Sequence, residues 1–506
     1  MDKNHKRILR NTGMLYIRML LAMAVGLYTS RVVLDVLGVE DFGIYHVVAG
    51  FVALLGFMQG AMTTATQRYF AFDLGQNNGS NLCILFNTSL QVHALLAFGI
   101  VLLAETLGYW FVSTHLTIPP DRMAAALLTY HLSVAAFVIS VMTVPLTAIL
   151  MANERMGLFA LMSMIDVLLK LLAVLLLPYL TSDQLSMYAA LLLGVALITF
   201  VGYSAINRTV FPAVRLQWAW NAEGFRSMMG FAAWNTWGNL AAAMSEHGNN
   251  ILLNIFFGPA VNAGRSIASQ ANGALNNFVV NVQAAVNPQI VKQFASGQQQ
   301  QMDALVQKAS KYNFLLLLVL TMPVFFYTEK LLVLWLVTPP DYVVVFLQLT
   351  MVISLIDSIS RPLMTAVQAT GKIRLYQTLI GSILLLNVPI SYAALEVWKR
   401  PSVVIWSGIV VALLALLARL LIMRKLIGID VADYIKNVIF RIVIVSFFVV
   451  VVNIFTVVQG SGILMLAMGL LVSFISTAVF IYLFGLASNE KRFLLVYIAR
   501  LYRKIS

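Results

Sequence analysis

Charge is what this sequence has least of. Only 10% of its 506 residues are Asp, Glu, Lys or Arg, against about 25% in a soluble globular chain. A polypeptide so poor in charge cannot clothe itself in a hydrated surface, which excludes a soluble globular domain. A single cysteine, Cys83, excludes an intrachain disulfide framework and gives no sign of an oxidising compartment. Thirteen prolines and 30 glycines are too few for a collagen-like or low-complexity chain. What is abundant is hydrocarbon: 60% of the residues are hydrophobic and the mean hydropathy is +0.88. That balance fits an all-α polytopic membrane protein.

The net charge of +13 would suit nucleic acid only if Lys and Arg were gathered on one water-facing surface. Here they fall between apolar runs, so nucleic acid is excluded as a partner. The first run, Thr12 to about Gly38, is too long for a signal-peptide core and has no clean cleavage site. Runs of about 20 residues or more recur near 12–36, 43–67, 83–112, 122–150, 157–179, 185–206, 228–257, 263–288, 312–336, 342–368, 375–396, 402–424, 437–457 and 462–487. This predicts about fourteen transmembrane helices. With both termini cytoplasmic, inner segments hold 23 Lys and Arg. Outer segments hold 5: Arg122, Arg265, Lys330, Lys399 and Arg400. The bias predicts cytoplasmic termini.

Self-similarity organises the chain. Pro145-Leu146-Thr147-Ala148 through Phe159 aligns without gaps on Pro362-Leu363-Met364-Thr365 through Tyr376, an offset of 217 residues. Within a few residues of that offset, Leu37-Gly38 and Phe42-Gly43 match Phe257-Gly258 and Ala263-Gly264. Six spans separate the copies, so both halves enter the membrane in one orientation, as parallel repeats do. The expected layout is an N-lobe at 1–206 (spans 1–6), a cytoplasmic linker at 207–227 and a C-lobe at 228–430 (spans 7–12). An appended pair of spans at 431–487 and a basic amphipathic tail at 488–506 complete it. In that tail Phe493, Leu494, Tyr497 and Leu501 alternate with Lys491, Arg492, Arg500, Arg503 and Lys504, which suits a helix lying on anionic membrane lipids. Pro145 and Pro362 would kink their helices, and are the candidate hinges.

The stretch NTGMLYIRMLLAMAVGLYTSRVVLDVLGVEDFGIYHVV, followed by GAMTTATQRYFAFDLGQNN, resembles bacterial polysaccharide flippases of the O-antigen type. These are members of the multidrug/oligosaccharidyl-lipid/polysaccharide exporter superfamily. The LG-x-x-x-FG turn and the QRY…LG run carry the match, and NNILLNIFFGPAVNAGRSIASQANGAL adds to it. The resemblance covers essentially the whole chain and contains no catalytic motif. It implies alternating-access transport of undecaprenyl-diphosphate-linked oligosaccharide across the bacterial cytoplasmic membrane for lipopolysaccharide or other surface polysaccharide. Polysaccharide polymerase or assembly proteins are the implied partners. Two other readings stay open: a drug–cation antiporter of the same superfamily, and a non-transporting subunit of a polysaccharide synthesis complex.

Ionisable side chains inside a membrane are costly and therefore candidates for function. Arg31/Asp35, Asp166/Lys170 and Asp357/Arg361 are each four residues apart, so each pair can neutralise itself on one helical face. Arg18 and Glu246 have no such neighbour. Arg18, Lys170 and Arg31 are candidate diphosphate contacts, because guanidinium and ammonium groups bind phosphate oxygens. Glu246, Asp35 and Asp166 are candidates for coupling to H⁺ or Na⁺. Around Glu246 the amides are dense; Asn235, Asn239, Asn250, Asn272 and Asn276 are candidate sugar contacts in a wet cavity, or else polar ties between helices. His46, His93 and His131 are lone intramembrane imidazoles. No metal-ligand spacing, phosphate-cradling loop or nucleophile–base arrangement is present, so no metal, cofactor or enzymatic activity is expected.

Overall fold

The computed structural model describes residues 3–492 except 77–80, 154, 181–182, 213, 218–220, 371–372 and 457–461. The side chains of residues 3–18 and of scattered positions within the helices also lie outside the description. Helix accounts for 90% of the structure, with no strand among the described residues. In hydrocarbon each backbone N–H and C=O must find its partner within its own segment, and the α-helix does this.

Two compact units are present. The first comprises Met1–Ile267, Pro340–Tyr342 and Gly381–Ser407. It holds α1 (Lys3–Leu54), α2 (Gly56–Gln76), α3 (Leu82–Leu103), α4 (Tyr109–Thr114), α5 (Met123–Ala152), α6 (Met156–Leu176), α7 (Gln184–Val210) and α8 (Ala222–Phe257), and the start of α9 (Pro259–Ala295). Ile44, Val47, Val48 and Val52 of α1 pack on Ala126, Tyr130 and Val134 of α5 in one core. A second core joins Phe70, Phe86, Leu146, Ile149, Met162 and Tyr203. Outside these cores large apolar side chains stay exposed, among them Leu95, Phe98 and Leu102 of α3 and Leu168 and Leu172 of α6. In a water-soluble protein such a surface would aggregate; against lipid it is the expected exterior.

The second unit comprises Ala268–Pro339, Val343–Ile380 and Gly408–Ser506. It holds the rest of α9, then α10 (Gln299–Phe326), α11 (Thr328–Leu336), α12 (Val343–Ala369) and the first part of α13 (Ile373–Leu385). The chain returns to the first unit for α14 (Asn387–Trp398) and the start of α15 (Val403–Ile427). It then re-enters the second unit for α16 (Val431–Tyr434), α17 (Phe440–Thr456) and α18 (Ile463–Phe480). Phe448 stacks on Phe484 with ring centres 4.8 Å apart and on Phe480 at 6.0 Å, tying α17 to α18 and the turn after it.

Eleven helices among the described residues are long and apolar enough to cross a membrane. The protein is a multi-pass membrane protein. Helices α2, α8 and α9, of 21, 36 and 37 residues, are not among the eleven and carry several amides each.

Helix boundaries recur at the offset read from the sequence. Leu82 and Gln299 open helices 217 positions apart, as do Met156 and Ile373. Ala152 and Ala369 close helices at the same offset, and so do Val210 and Ile427. Gly38 (φ 75°, ψ 171°) and Gly258 (φ 79°, ψ −175°) adopt one conformation, which L side chains rarely enter. Pro145 and Pro362 are both buried, and their helices run on through them as single elements.

Three cations lie elsewhere than the segment count put them. Lys311 and Arg419, taken as residues of inner segments, belong to α10 and α15, and Arg265, taken as an outer-segment residue, belongs to α9. All three are buried. A charge removed from water must be matched nearby. Lys311 donates to both Glu490 oxygens at 2.6 and 2.8 Å. Arg419 lies 4.0 Å from Asp357 and donates to the Tyr376 hydroxyl at 3.1 Å. Asp357 thus contacts a cation of another helix, with Arg361 a further electrostatic neighbour. The linker is also shorter than expected: α7 runs to Val210, and α8 starts at Ala222, capped by Asn221. The tail residues Phe493 to Ser506 lie outside the described residues.

Glu490 sets a test. Burial opposes its charge, but hydrogen bonds from Lys311, the Ala487 N–H and Tyr312 outweigh it and hold the carboxyl below its ordinary 4.5. A depressed folded-state pKa gives stability that is present above the ordinary value and lost as pH falls through the folded one. Glu490→Gln leaves Lys311 buried without its anion and should cost about 3 kcal/mol. Thermal unfolding in detergent should show this loss near neutral pH, and a smaller difference from wild type under acid conditions below 4.5.

Candidate functional site

Helix α8 carries a row of polar residues, of which Glu246 is exposed. Asn239, Glu246 and Asn250 follow at intervals of seven and four, so they share one side. Three hydrogen-bonded ties hold it from its middle to its C-terminal end. The Asn239 Nδ2 donates to the Phe57 carbonyl of α2 at 3.5 Å, beside Gly60. Asn387 of α14 donates to the Ser245 hydroxyl at 2.9 Å. Asn254 brackets Thr117, accepting from its N–H at 2.8 Å and donating to its carbonyl at 3.2 Å.

Between these ties the pattern changes. His247 Nδ1, Asn249 Oδ1 and Asn250 Oδ1 are buried and make no hydrogen bond to protein. Asn262, in the first turns of α9, is 1% exposed with both amide atoms in the same state. A buried unpaired polar atom costs about 1–3 kcal/mol, so this concentration marks binding capacity. Arg265, 7% exposed, lies in the field of Glu246 and His247. One short stretch of α8 and α9 therefore gathers a carboxylate, a guanidinium, an imidazole and three amides. Such a set can hold an anion, bond a hydroxyl-rich solute and exchange a proton.

Arg265 is the residue that sequence reading missed. Six residues separate it from the start of α9, about 9 Å along the helix at 1.5 Å per residue. The signal was present: Gly258 followed by Pro259 is a helix stop and an immediate restart, which leaves no loop for Arg265 to occupy.

The other expected site residues fall as follows. Arg18 is on α1 and Asn235 on α8, both with side chains outside the described residues. Arg31 and Asp35 are both exposed on α1. Asp166 and Lys170 form the expected ion pair at 2.8 Å on α6, and Thr199 of α7 donates to Asp166 at 3.4 Å. Asn272 and Asn276, in the second unit, both donate to the Ser354 hydroxyl of α12, at 2.8 and 2.6 Å. Farther along α9, Gln283 accepts from Asn313 at 2.6 Å and Asn287 accepts from Thr365 at 2.8 Å. These amides tie helices together, while the Oδ1 atoms of Asn272 and Asn276 stay buried without a partner. His93 bonds the Ser89 carbonyl at 2.8 Å, His131 meets Glu105 at 2.9 Å, and His46 packs on Phe42 with ring centres 4.3 Å apart.

No protein-family model matches the chain, and no curated protein sequence matches it. Solved structures do. The lipid II flippase MurJ in an inward closed conformation superposes with a TM-score of 0.69 at 12% identity, covering 94% of this chain and 98% of that one. A multidrug-resistance MATE family transporter of the MOP superfamily, inward-facing, gives 0.66 at 14% identity over 82% of this chain and 98% of that one. The MATE transporter VcmN of Vibrio cholerae in its bent form gives 0.56 at 17% identity over 84% and 98%. The chain has the fold of these transporters.

That fold brings the α8–α9 turn against α1 at Gly43. A Cβ there would overlap the Pro259 carbonyl, a backbone atom that cannot swing aside. Gly43→Ala should therefore push α1 off the turn that carries Asn262 and Arg265, and lower the melting temperature by several degrees. Gly99→Ala is the control: its Cβ meets nothing within 4 Å, and Ala stabilises a helix interior by roughly 0.5–1 kcal/mol over Gly. Equal melting temperatures for the two variants would show that the contact does not matter.

Proposed function

We propose that the protein translocates lipid-linked oligosaccharide diphosphates, of the undecaprenyl-diphosphate type, across the bacterial cytoplasmic membrane for surface polysaccharide synthesis. The observation that carries this reading is coverage. The flippase fold accounts for 94% of this chain and the MATE folds for 82–84%. The gap, roughly 10–12% of 506 residues or about 50–60, is close to the length of the appended segment 431–487. Read as that segment, it favours the flippase over the antiporter. The duplicated helix boundaries support two six-helix lobes in parallel, and the surplus of Lys and Arg in inner segments supports cytoplasmic termini; without Lys311, Arg419 and Arg265 it is 21 to 4.

In this reading a diphosphate oxygen binds Arg265, which bonds phosphate with a forked pair of donors, in competition with the nearby negative charge of Glu246. Glu246 then takes up a proton, with Asp35 and Asp166 as further coupling candidates. Arg18, Arg31 and Lys170 are proposed diphosphate contacts, and Asn235, Asn239 and Asn250 sugar contacts. Alternating access rests on motion of the lobes, with Pro145 and Pro362 as hinges. Exposed Asp35 favours the second reading, extrusion of an organic cation.

Proteoliposomes separate the two. A fluorescent short-chain polyprenyl-diphosphate glycan should become accessible on the far leaflet at least tenfold faster with wild type than in empty vesicles. Glu246→Gln should lose the pH dependence of that rate. Export of a cationic dye without movement of the glycan lipid would replace this reading with the antiporter.

A further inference from the structure

A cavity of about 870 Å³ opens inside the first unit between α3, α5, α7 and the connection that follows α7. It lies within the range of pockets that enclose most of a small ligand, about 300–1,000 Å³. Its two ends differ. Toward the middle of the helices it is walled by apolar groups, including Leu90, Met142 and Phe200. Toward the end of α7 it carries Arg208 and Arg215. Arg208 is in the last turn of α7 and both guanidinium-bearing residues are exposed. Neither forms an ion pair with a carboxylate among the described residues. From Phe200 to Arg208 is about 12 Å at 1.5 Å per residue, so the cavity runs from a membrane-spanning depth to a span's end.

The basic end is held in shape. Asn87 of α3, 2% exposed, donates to the Arg215 carbonyl at 2.8 Å and accepts from the Gln217 N–H at 2.8 Å. This pins the connection over the cavity and fixes where Arg215 starts. Asn207 supplies a second, independent sign of a ligand. It is 7% exposed and its Nδ2 is spent on the carbonyls of Leu146 and Tyr203, at 3.0 and 2.8 Å. Its Oδ1 is buried without a hydrogen bond, on a residue that lines the cavity. An unpartnered acceptor therefore sits on a residue of the cavity wall, next in sequence to Arg208.

We propose that this cavity binds one anionic glycerophospholipid: its phosphate on Arg208 and Arg215, a headgroup hydroxyl donating to Asn207 Oδ1, and one acyl chain along α3 and α7. The two positive charges select an anionic headgroup over a zwitterionic one, and the slot selects an acyl chain over a free anion. The site is separate from the α8–α9 cluster and does not depend on what that cluster transports.

Binding is tested on the full-length protein in detergent, by native mass spectrometry and thermal unfolding. The probes are dioctanoylphosphatidylglycerol, dioctanoylphosphatidylcholine and inorganic phosphate. Expected are one tightly bound phosphatidylglycerol per chain, at least tenfold weaker phosphatidylcholine, and no stabilisation by phosphate alone. Arg208→Gln with Arg215→Gln should weaken phosphatidylglycerol at least tenfold while leaving the lipid-free melting temperature unchanged. Ser204→Phe, which fills the slot, should abolish binding of the lipid by a different route. Equal affinity for the two lipids, equal affinity in the double variant, or equal stabilisation by inorganic phosphate would each overturn the proposal.

Discussion

Inside hydrocarbon a polar group without a partner has no water to fall back on, and every polar side chain in the described structure is arranged under that constraint. Backbone groups meet it by forming helices. Side chains meet it across helices: Lys311 with Glu490, Arg419 with Asp357 and Tyr376, Asn254 with Thr117, Asn272 and Asn276 with Ser354. A chain with one charge in ten residues can place few of these, so each one fixes which helices adjoin. Replacing them with apolar groups could raise stability, since a buried pair often gains no more than it loses in desolvation. What such pairs provide here is a choice of helix neighbour, because bare apolar faces would pack as readily on lipid.

Matching is least complete in the run from His247 to Arg265, where His247 Nδ1, Asn249 Oδ1, Asn250 Oδ1 and both amide atoms of Asn262 are buried without a partner. Asn272, Asn276 and Asn387 each keep one open Oδ1 besides the bond that joins their helices, so what sets this run apart is the number of open atoms within a few turns, near a guanidinium and a carboxylate. The same contrast separates Asn207, half matched in its cavity, from Asn87, fully used in holding the connection.

Much of the architecture was legible in the sequence. The Asp166–Lys170 pair rests on spacing within one helix, and the recurrence of helix ends 217 residues apart and of the Gly38 conformation at Gly258 follows similarity between distant stretches, both of which a sequence displays. Arg265, Lys311 and Arg419 were misassigned for one reason. Segment counting assigns a cation near the end of an apolar run to the flanking segment, while its real environment depends on what packs around it. Asn272 and Asn276 illustrate the same limit, since composition alone does not distinguish an amide facing a cavity from one bonded to Ser354.

The central claim is that Arg265 binds a substrate diphosphate in competition with the negative charge of nearby Glu246. Isothermal titration of a short-chain polyprenyl diphosphate into wild type and Arg265→Gln, at one fixed salt concentration, tests it most directly. The account predicts at least a tenfold loss of affinity in Arg265→Gln, with tighter binding than wild type in Glu246→Gln, where the competing anion is gone. Unchanged affinity in both variants would contradict it.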